Sequence, residues 1–229
     1  MFLEGYGPLL WQGTMVTIEL SLLSLLVAFV IGLAGAGAKL APSRLLRYPA
    51  TVYTTVTRGV PDLVLMLLLF YNLQIWLNDF TDWRQMDQID IDPFAAGVVT
   101  IGFIYGAYFT ETFRGAFLAV PKGQLEAGFA YGMSRWQVFH RVLFPQMMRF
   151  ALPGIGNNWQ VLLKSTALVS IIGLADVVKQ AQDAGKGTFH MFFFIAVAGG
   201  IYLALTSISN LALIWLEKRY SAGVRSAEL

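Results

Sequence analysis

An all-α integral membrane protein with five spans is what this sequence predicts, on three observations: its composition, five long apolar runs, and loops whose charge alternates in sign. Of 229 residues, 56% are hydrophobic and 13% are charged, about half the charged share of a soluble domain. The net charge of +2 is too small to suggest a nucleic-acid partner, and the basic residues form no tail. Cysteine is absent, which excludes disulfides, zinc–thiolate sites and thiol catalysis.

A helix needs roughly 20 apolar residues to cross the hydrocarbon core. The first such run is 20–38, extended back to about residue 13. Its only preceding charges are Glu4 and Glu19, and a cleaved secretory signal wants a positive start, so this segment is expected to stay. The second span, 48–77, is interrupted by Arg58 and Asp62 and contains Pro61. The third runs over 93–118, the fourth over 150–175 with Lys164 as its one inner charge, and the fifth over 191–216. No linker, repeat or low-complexity tract divides the chain, so 1–229 reads as a single transmembrane domain.

Lys39, Arg44 and Arg47 follow the first span, whereas Asp79, Asp82, Asp87, Asp90 and Asp92 face only Arg84 after the second. Positive charge returns with Lys122, Arg135, Arg141 and Arg149, balances in the polar loop 176–186, and returns again with Lys218, Arg219 and Arg225. Positive loops mark the cytoplasm, so the N-terminus is expected outside and the C-terminus inside. Trp76, Phe80 and Trp83 form an interfacial belt ending the second span. Gly102 and Gly106 predict a close-packing seam on the third.

The loop between spans three and four, about 121–145, is unusual. Leu125, Phe129, Gly132 and Trp136, followed by Phe139 and Leu143, recur at helical spacing as one apolar face. Gly132 weakens the helix midway, and Ser134 with Gln137 forms a capping-box pattern that restarts it. Pro145 disfavours a helical Phe144 and predicts a break before the fourth span. Such a segment docks a partner, lies flat on the membrane or packs back on its own bundle. Ala127, Gly128 and Gly132 favour docking, because small residues let a partner approach the backbone.

The pattern Glu126-Ala127-Gly128, then Gly132, then Val142-Leu143-Phe144-Pro145 resembles the EAA loop of ABC importer permeases. Gly128 stands for that motif's second alanine, Val142 for its isoleucine and Phe144 for its leucine. The blocks RGVPDLVLMLLLFY, YFTETFRGAFLAVPKGQLEA and ALPGIGNNWQVLLKSTALVS are similar to its polar amino-acid branch, closest to the Q-type subunits of histidine and lysine–arginine–ornithine systems. The resemblance implies the type I importer architecture in a bacterial inner membrane. It further implies two permease subunits, two cytoplasmic ATPases that bind the ATP and magnesium, and a periplasmic amino-acid binding protein. The loop would then sit in an ATPase groove. Phe129 and Trp136 are assigned to the grip, Glu126 to the start of the loop helix, where a carboxylate suits the dipole, and Arg135 to an acidic partner or lipid headgroups.

Ionisable residues inside a bilayer are costly unless paired or hydrated. Glu111 and Arg114 share a face three apart and read as a structural pair. Arg58 and Asp62, four apart around Pro61, read as a pair across a kink or as a gate hinge. On the fourth span Asn157, Gln160 and Lys164 share a face flanked by Asn158 and Ser165. This stripe either lines an aqueous pathway or glues helices by hydrogen bonds. Related permeases often carry acids at the position of Asn158, and acids or neutral residues at that of Ser165. Their absence here predicts that a second, non-identical permease supplies the acidic contacts.

No G-x-x-x-x-G-K-[ST] loop occurs, since the AGKG at Ala184 lacks the first glycine and the hydroxyl, so no ATPase chemistry is expected in this chain. His140 and His190 read as interfacial. A stand-alone channel or secondary transporter is the rival reading, weakened by the absence of paired internal repeats.

Overall fold

The computed structural model describes Leu3 and residues 5–220; Glu4 and Arg225 of the charge pattern lie outside them. Every regular element among the described residues is helical. The first helix, α1, spans Gly7–Leu40 and opens on Pro8, whose missing N–H costs nothing in a first turn. At about 51 Å it exceeds the thickness of a bilayer core.

The predicted second span is two helices rather than one kinked helix. Helix α2 is Arg44–Gly59 and α3 is Asp62–Trp83. Between them Val60 is extended, with φ −109 and ψ 140. Pro61 removes a donor and pushes its predecessor out of the helical region, so the interruption is complete. Helix α4, Pro93–Ala119, begins where the Asp92 carboxylate accepts from the Ala95 N–H at 3.0 Å and ends before Val120-Pro121. After it come α5 (Lys122–Ala130) and a continuous rod over Arg135–Ile172. The rod comprises α6 (Arg135–Val138), a π turn (Phe139–Leu143), α7 (Phe144–Ser165) and a 3₁₀ stretch (Thr166–Ile172).

The break predicted at Phe144 is therefore absent. Phe144 is helical, with φ −61 and ψ −48, and its N–H donates to the Phe139 carbonyl. Pro145 withdraws one donor and crowds the carbonyl four residues before it, and the wider π turn relieves both without ending the helix. The rod stops at Gly173, whose φ of +92 suits a residue without Cβ. The segment predicted as the polar loop 176–186 is instead helix α8, Val177–Thr188, bent from the rod by 52°. Val177, Ala181, Ala184 and Gly185 form its buried face. Helix α9, Met191–Tyr220, closes the described chain.

By length and apolarity α1, α3, α4 and α9 can each cross a bilayer, and the rod with α8 makes a fifth span if counted together. Helix α4 is central, with Ile101, Ile104, Tyr105, Phe109 and Phe113 buried against Leu20, Ala28 and Ala36 of α1 and Met147, Ala151 and Leu162 of α7. The predicted Gly102–Gly106 seam is real and has a matching half on α1. A Cβ on Gly102 would stand 2.5 Å from Val27 Cγ1, and one on Gly106 2.6 Å from Ile31 Cγ2. On α1, a Cβ on Gly32 would stand 2.5 Å from Phe109 Cβ. Trp76, Phe80 and Trp83 are exposed at the end of α3, where Arg84 lies over the Phe80 and Trp83 rings.

Replacing Gly102 by leucine should lower the thermal unfolding midpoint in detergent, since overpacking costs about 1–3 kcal/mol or more. Gly115→Leu, where an added Cβ meets nothing within 4 Å, should leave the midpoint unchanged or raised. Equal midpoints for the two variants would mean that α1 and α4 do not meet through this seam.

Candidate functional site

The 121–145 segment folds as two helices joined by a tight turn. At the end of α5 the Met133 N–H donates to the Gly128 carbonyl at 3.1 Å, and the Gly132 N–H to the Phe129 carbonyl at 2.9 Å. This double closure needs a left-handed residue, and Gly132 supplies it with φ +79. The predicted capping box then forms: Ser134 Oγ accepts from the Gln137 N–H at 3.3 Å, and Gln137 Oε1 from the Ser134 N–H at 2.8 Å. Both ends of the turn are thus closed by hydrogen bonds.

The single apolar face read from the sequence is divided by this turn. Leu125 and Leu143 pack against the core, whereas Phe129 is 50% and Trp136 70% exposed. Trp136 stacks on Phe139, 5.7 Å between centroids, which holds its ring in place. Gly128 is buried, and a Cβ there would stand 3.1 Å from Val138 Cγ2, so this glycine packs the hairpin rather than admitting a partner. Glu126 is exposed in the second turn of α5, and the first turn carries no acid. The expected dipole role for Glu126 is thereby corrected: the helix starts four residues earlier, at Lys122. Ala127, Gly132 and Arg135 are exposed.

Inside the bundle the charged residues meet on α4. Glu111 accepts from Arg114 Nε at 2.9 Å, as predicted, and also pairs with Lys39 of α1, which donates to Thr54 Oγ1 of α2 at 2.9 Å. One carboxylate therefore ties three helices. Arg58 and Asp62 do not pair with each other, because the break between α2 and α3 separates them. Each finds a tyrosine of α4 instead. The Arg58 guanidinium lies over the Tyr108 ring at 5.3 Å, and Asp62 Oδ2 accepts from the Tyr105 hydroxyl at 2.9 Å. The two tyrosine rings stack at 5.5 Å, and the Tyr105 hydroxyl lies 2.6 Å from Ser165 Oγ of the rod. A polar cavity of about 460 Å³ beside them is lined by Lys39, Thr54, Thr55, Arg58, Gly59, Tyr108 and Glu111.

The polar stripe of α7 is not one surface. Asn158 donates to Thr112 Oγ1 at 3.0 Å, so with Ser165 it turns towards α4. Gln160 donates to the Thr206 carbonyl of α9 at 3.4 Å. Lys164 lines a cavity of about 260 Å³ with Ala198, Gly199 and Tyr202 of α9 and Val178 of α8. Asn157 is exposed. Sequence reasoning missed Tyr105, Tyr108, Lys39 and Thr54. A tyrosine hydroxyl in an apolar span needs a partner, and that rule would have singled out the first two.

A family profile described as the binding-protein-dependent transport system inner membrane component matches residues 20–222. The chain belongs to this permease family. It is 60% identical over 227 residues to the histidine/lysine/arginine/ornithine transport system permease protein HisQ of Escherichia coli (strain K12), covering 99% of this chain and all of that one. It is 36% identical to the octopine transport system permease protein OccQ of Rhizobium radiobacter, over 97% of both chains. It is 35% identical to the arginine ABC transporter permease protein ArtQ of Haemophilus influenzae, over 95% of this chain and 96% of that one. Among solved structures it is similar to an amino acid ABC transporter with histidines, with TM-score 0.78, 31% identity, and 93% and 95% of the two chains covered. The permease is thus a multi-pass inner-membrane component with the type I fold.

In this permease the Lys39 and Glu111 side chains are 12% and 18% exposed, between the surface and buried limits for an ion pair. Glu111→Gln should destabilise the protein by on the order of 2 kcal/mol, because it strands two cations. Adding Lys39→Met should recover part of that loss. Additive effects in this double-mutant cycle would show that the two residues do not interact.

Proposed function

We propose that this chain is one of two permease subunits of an ABC importer for histidine and basic amino acids. The likeness to HisQ over the full chain supports the cargo class. Residues 1–229 act as one transmembrane domain surrounded by lipid, with the N-terminus outside and the C-terminus inside, as the alternation of basic and acidic loops favours. A periplasmic binding protein delivers the amino acid. Two cytoplasmic ATP-binding subunits carry the ATP and magnesium, and no cofactor binds this chain. The second permease is a non-identical subunit that places an acid near Lys164, whose ammonium donates no hydrogen bond among the described residues.

The observation that carries the coupling role is the hairpin. It presents two large aromatic side chains, Phe129 and Trp136, outward from a turn closed at both ends. An exposed aromatic on a rigid support is what a partner groove grips. Glu126, Ala127, Gly132 and Arg135 surround that pair on the docking side, and Gly128 keeps the two helices close. Because the rod continues unbroken from Arg135 to Ile172, movement of the hairpin reaches Asn157, Asn158, Gln160, Lys164 and Ser165, the proposed pathway residues.

Phe129→Ala combined with Trp136→Ala tests this. In proteoliposomes of the full assembly the variant should lose stimulation of ATP hydrolysis by loaded binding protein, by about tenfold or more, given roughly 2 kcal/mol for a hot-spot aromatic. These exposed positions avoid Gly132, where any side chain would strain the turn. Stimulation equal to wild type would show that the hairpin only rests on the membrane or on its own bundle.

A further inference from the structure

A cationic amino acid crossing a low-dielectric bundle needs an anionic contact on its route. The rod, whose polar residues are the proposed pathway, offers none: Asn157, Asn158, Gln160 and Ser165 are neutral and Lys164 is positive. Glu217 ends α9 beside Lys218 and Arg219, and Asp183 of α8 pairs with Lys179. Four further described acids lie in or at the ends of membrane-crossing helices away from the acidic loop. Glu111 is already held by Lys39 and Arg114. Asp176 is wholly buried and caps α8 through the Lys179 N–H. Glu19 is exposed on the outer half of α1 and no ion pair joins it. Asp62 remains, and its surroundings differ from all three.

Asp62 opens α3 directly after the extended Val60-Pro61 break. It is partly exposed, one of its oxygens takes the Tyr105 hydroxyl, and no cation pairs with it among the described residues. Tyr105 stands near the middle of α4, and its hydroxyl also meets Ser165. The carboxylate is thus carried from a different helix to the neutral stripe of the rod, near the centre of the bundle. The break adds to its negative potential. The last carbonyls of α2 have no following turn to bond, so the negative end of that helix dipole faces the same gap. Interrupted helices whose freed carbonyls face a cavity are a general means of holding cations in membranes.

We infer that Asp62 is the contact for the positively charged end of the transported amino acid, and this rests on the cargo reading given above. The guanidinium, ammonium or imidazolium of the cargo takes the oxygen now held by Tyr105, which frees the link from Tyr105 to Ser165. Arg58, lying on the Tyr108 ring at the polar cavity, supplies the opposite charge for the cargo carboxylate. Arg58 and Asp62 are then the two ends of one zwitterion site rather than a pair with each other.

The test is uptake into proteoliposomes holding the whole importer, with arginine and with histidine at about pH 5.5 and about pH 8, on either side of the imidazole pKa near 6.5. Asp62→Asn, read as a ratio to wild type under each condition, should cut arginine and acidic histidine uptake by about tenfold or more. Histidine at the higher pH, where the imidazole is neutral, should stay within about twofold of wild type. Asp62→Glu should restore arginine uptake in large part. An equal loss for charged and neutral cargo would make Asp62 a structural tie only, and no loss at all would remove it from the pathway; either result overturns the inference. Failure of the wild type itself to take up arginine would overturn the cargo reading instead, so the two outcomes are separable.

Discussion

The close approach of α1 and α4 sets where everything else stands. Four glycines, Gly32 and Gly35 on α1 with Gly102 and Gly106 on α4, bring side chains of each helix against the backbone of the other. In a bilayer, burial of apolar surface gives little preference for one helix neighbour over lipid, so tight packing at small residues decides the pairing. With α1 fixed on one side, α4 becomes the axis of the bundle. Its other faces then present Tyr105 and Tyr108 to the break between α2 and α3 and Thr112 to Asn158, while Glu111 meets Lys39 at the end of α1. The polar network is a consequence of that axis.

Much of this was legible in the sequence. The all-helical fold with four or five candidate spans, the seam at Gly102 and Gly106, the Glu111–Arg114 pair, and the turn with its capping box each follow from short-range rules. The misreadings come from effects beyond local spacing. Pro145 was expected to end a helix, but a single wide turn absorbs the missing donor, and no local pattern signals a π turn. The segment 176–186 was read through its charges, and the buried stripe of Val177, Ala181, Ala184 and Gly185 that makes it a helix is visible only against α1 and α9. The four-residue spacing of Arg58 and Asp62 predicts a pair across a kink or a gate hinge. That spacing has meaning only in an unbroken helix, and Pro61 removes it.

The polar residues of the rod were the hardest to read, because their meaning lies in tertiary partners. A stripe along one helix suggested one wet surface. In the fold it is divided between α4 and α9, with Asn158 and Ser165 on one side and Gln160 and Lys164 on the other. The residue that joins this region to the rest, Tyr105, sits in an apolar run where only its hydroxyl distinguishes it.

The π turn at Phe139–Leu143 also fixes an angular register. One residue is absorbed there beyond what a regular helix would hold, so everything downstream in the rod is rotated by about 100° relative to an uninterrupted α-helix. That rotation aims Ser165 at Tyr105 and Asn158 at Thr112 while the hairpin keeps its own facing. The turn thus acts as a phase offset between two surfaces of one rigid rod. A single-residue deletion within it would leave the hairpin and the apolar length of the helix intact, yet would turn the polar side chains away from their partners.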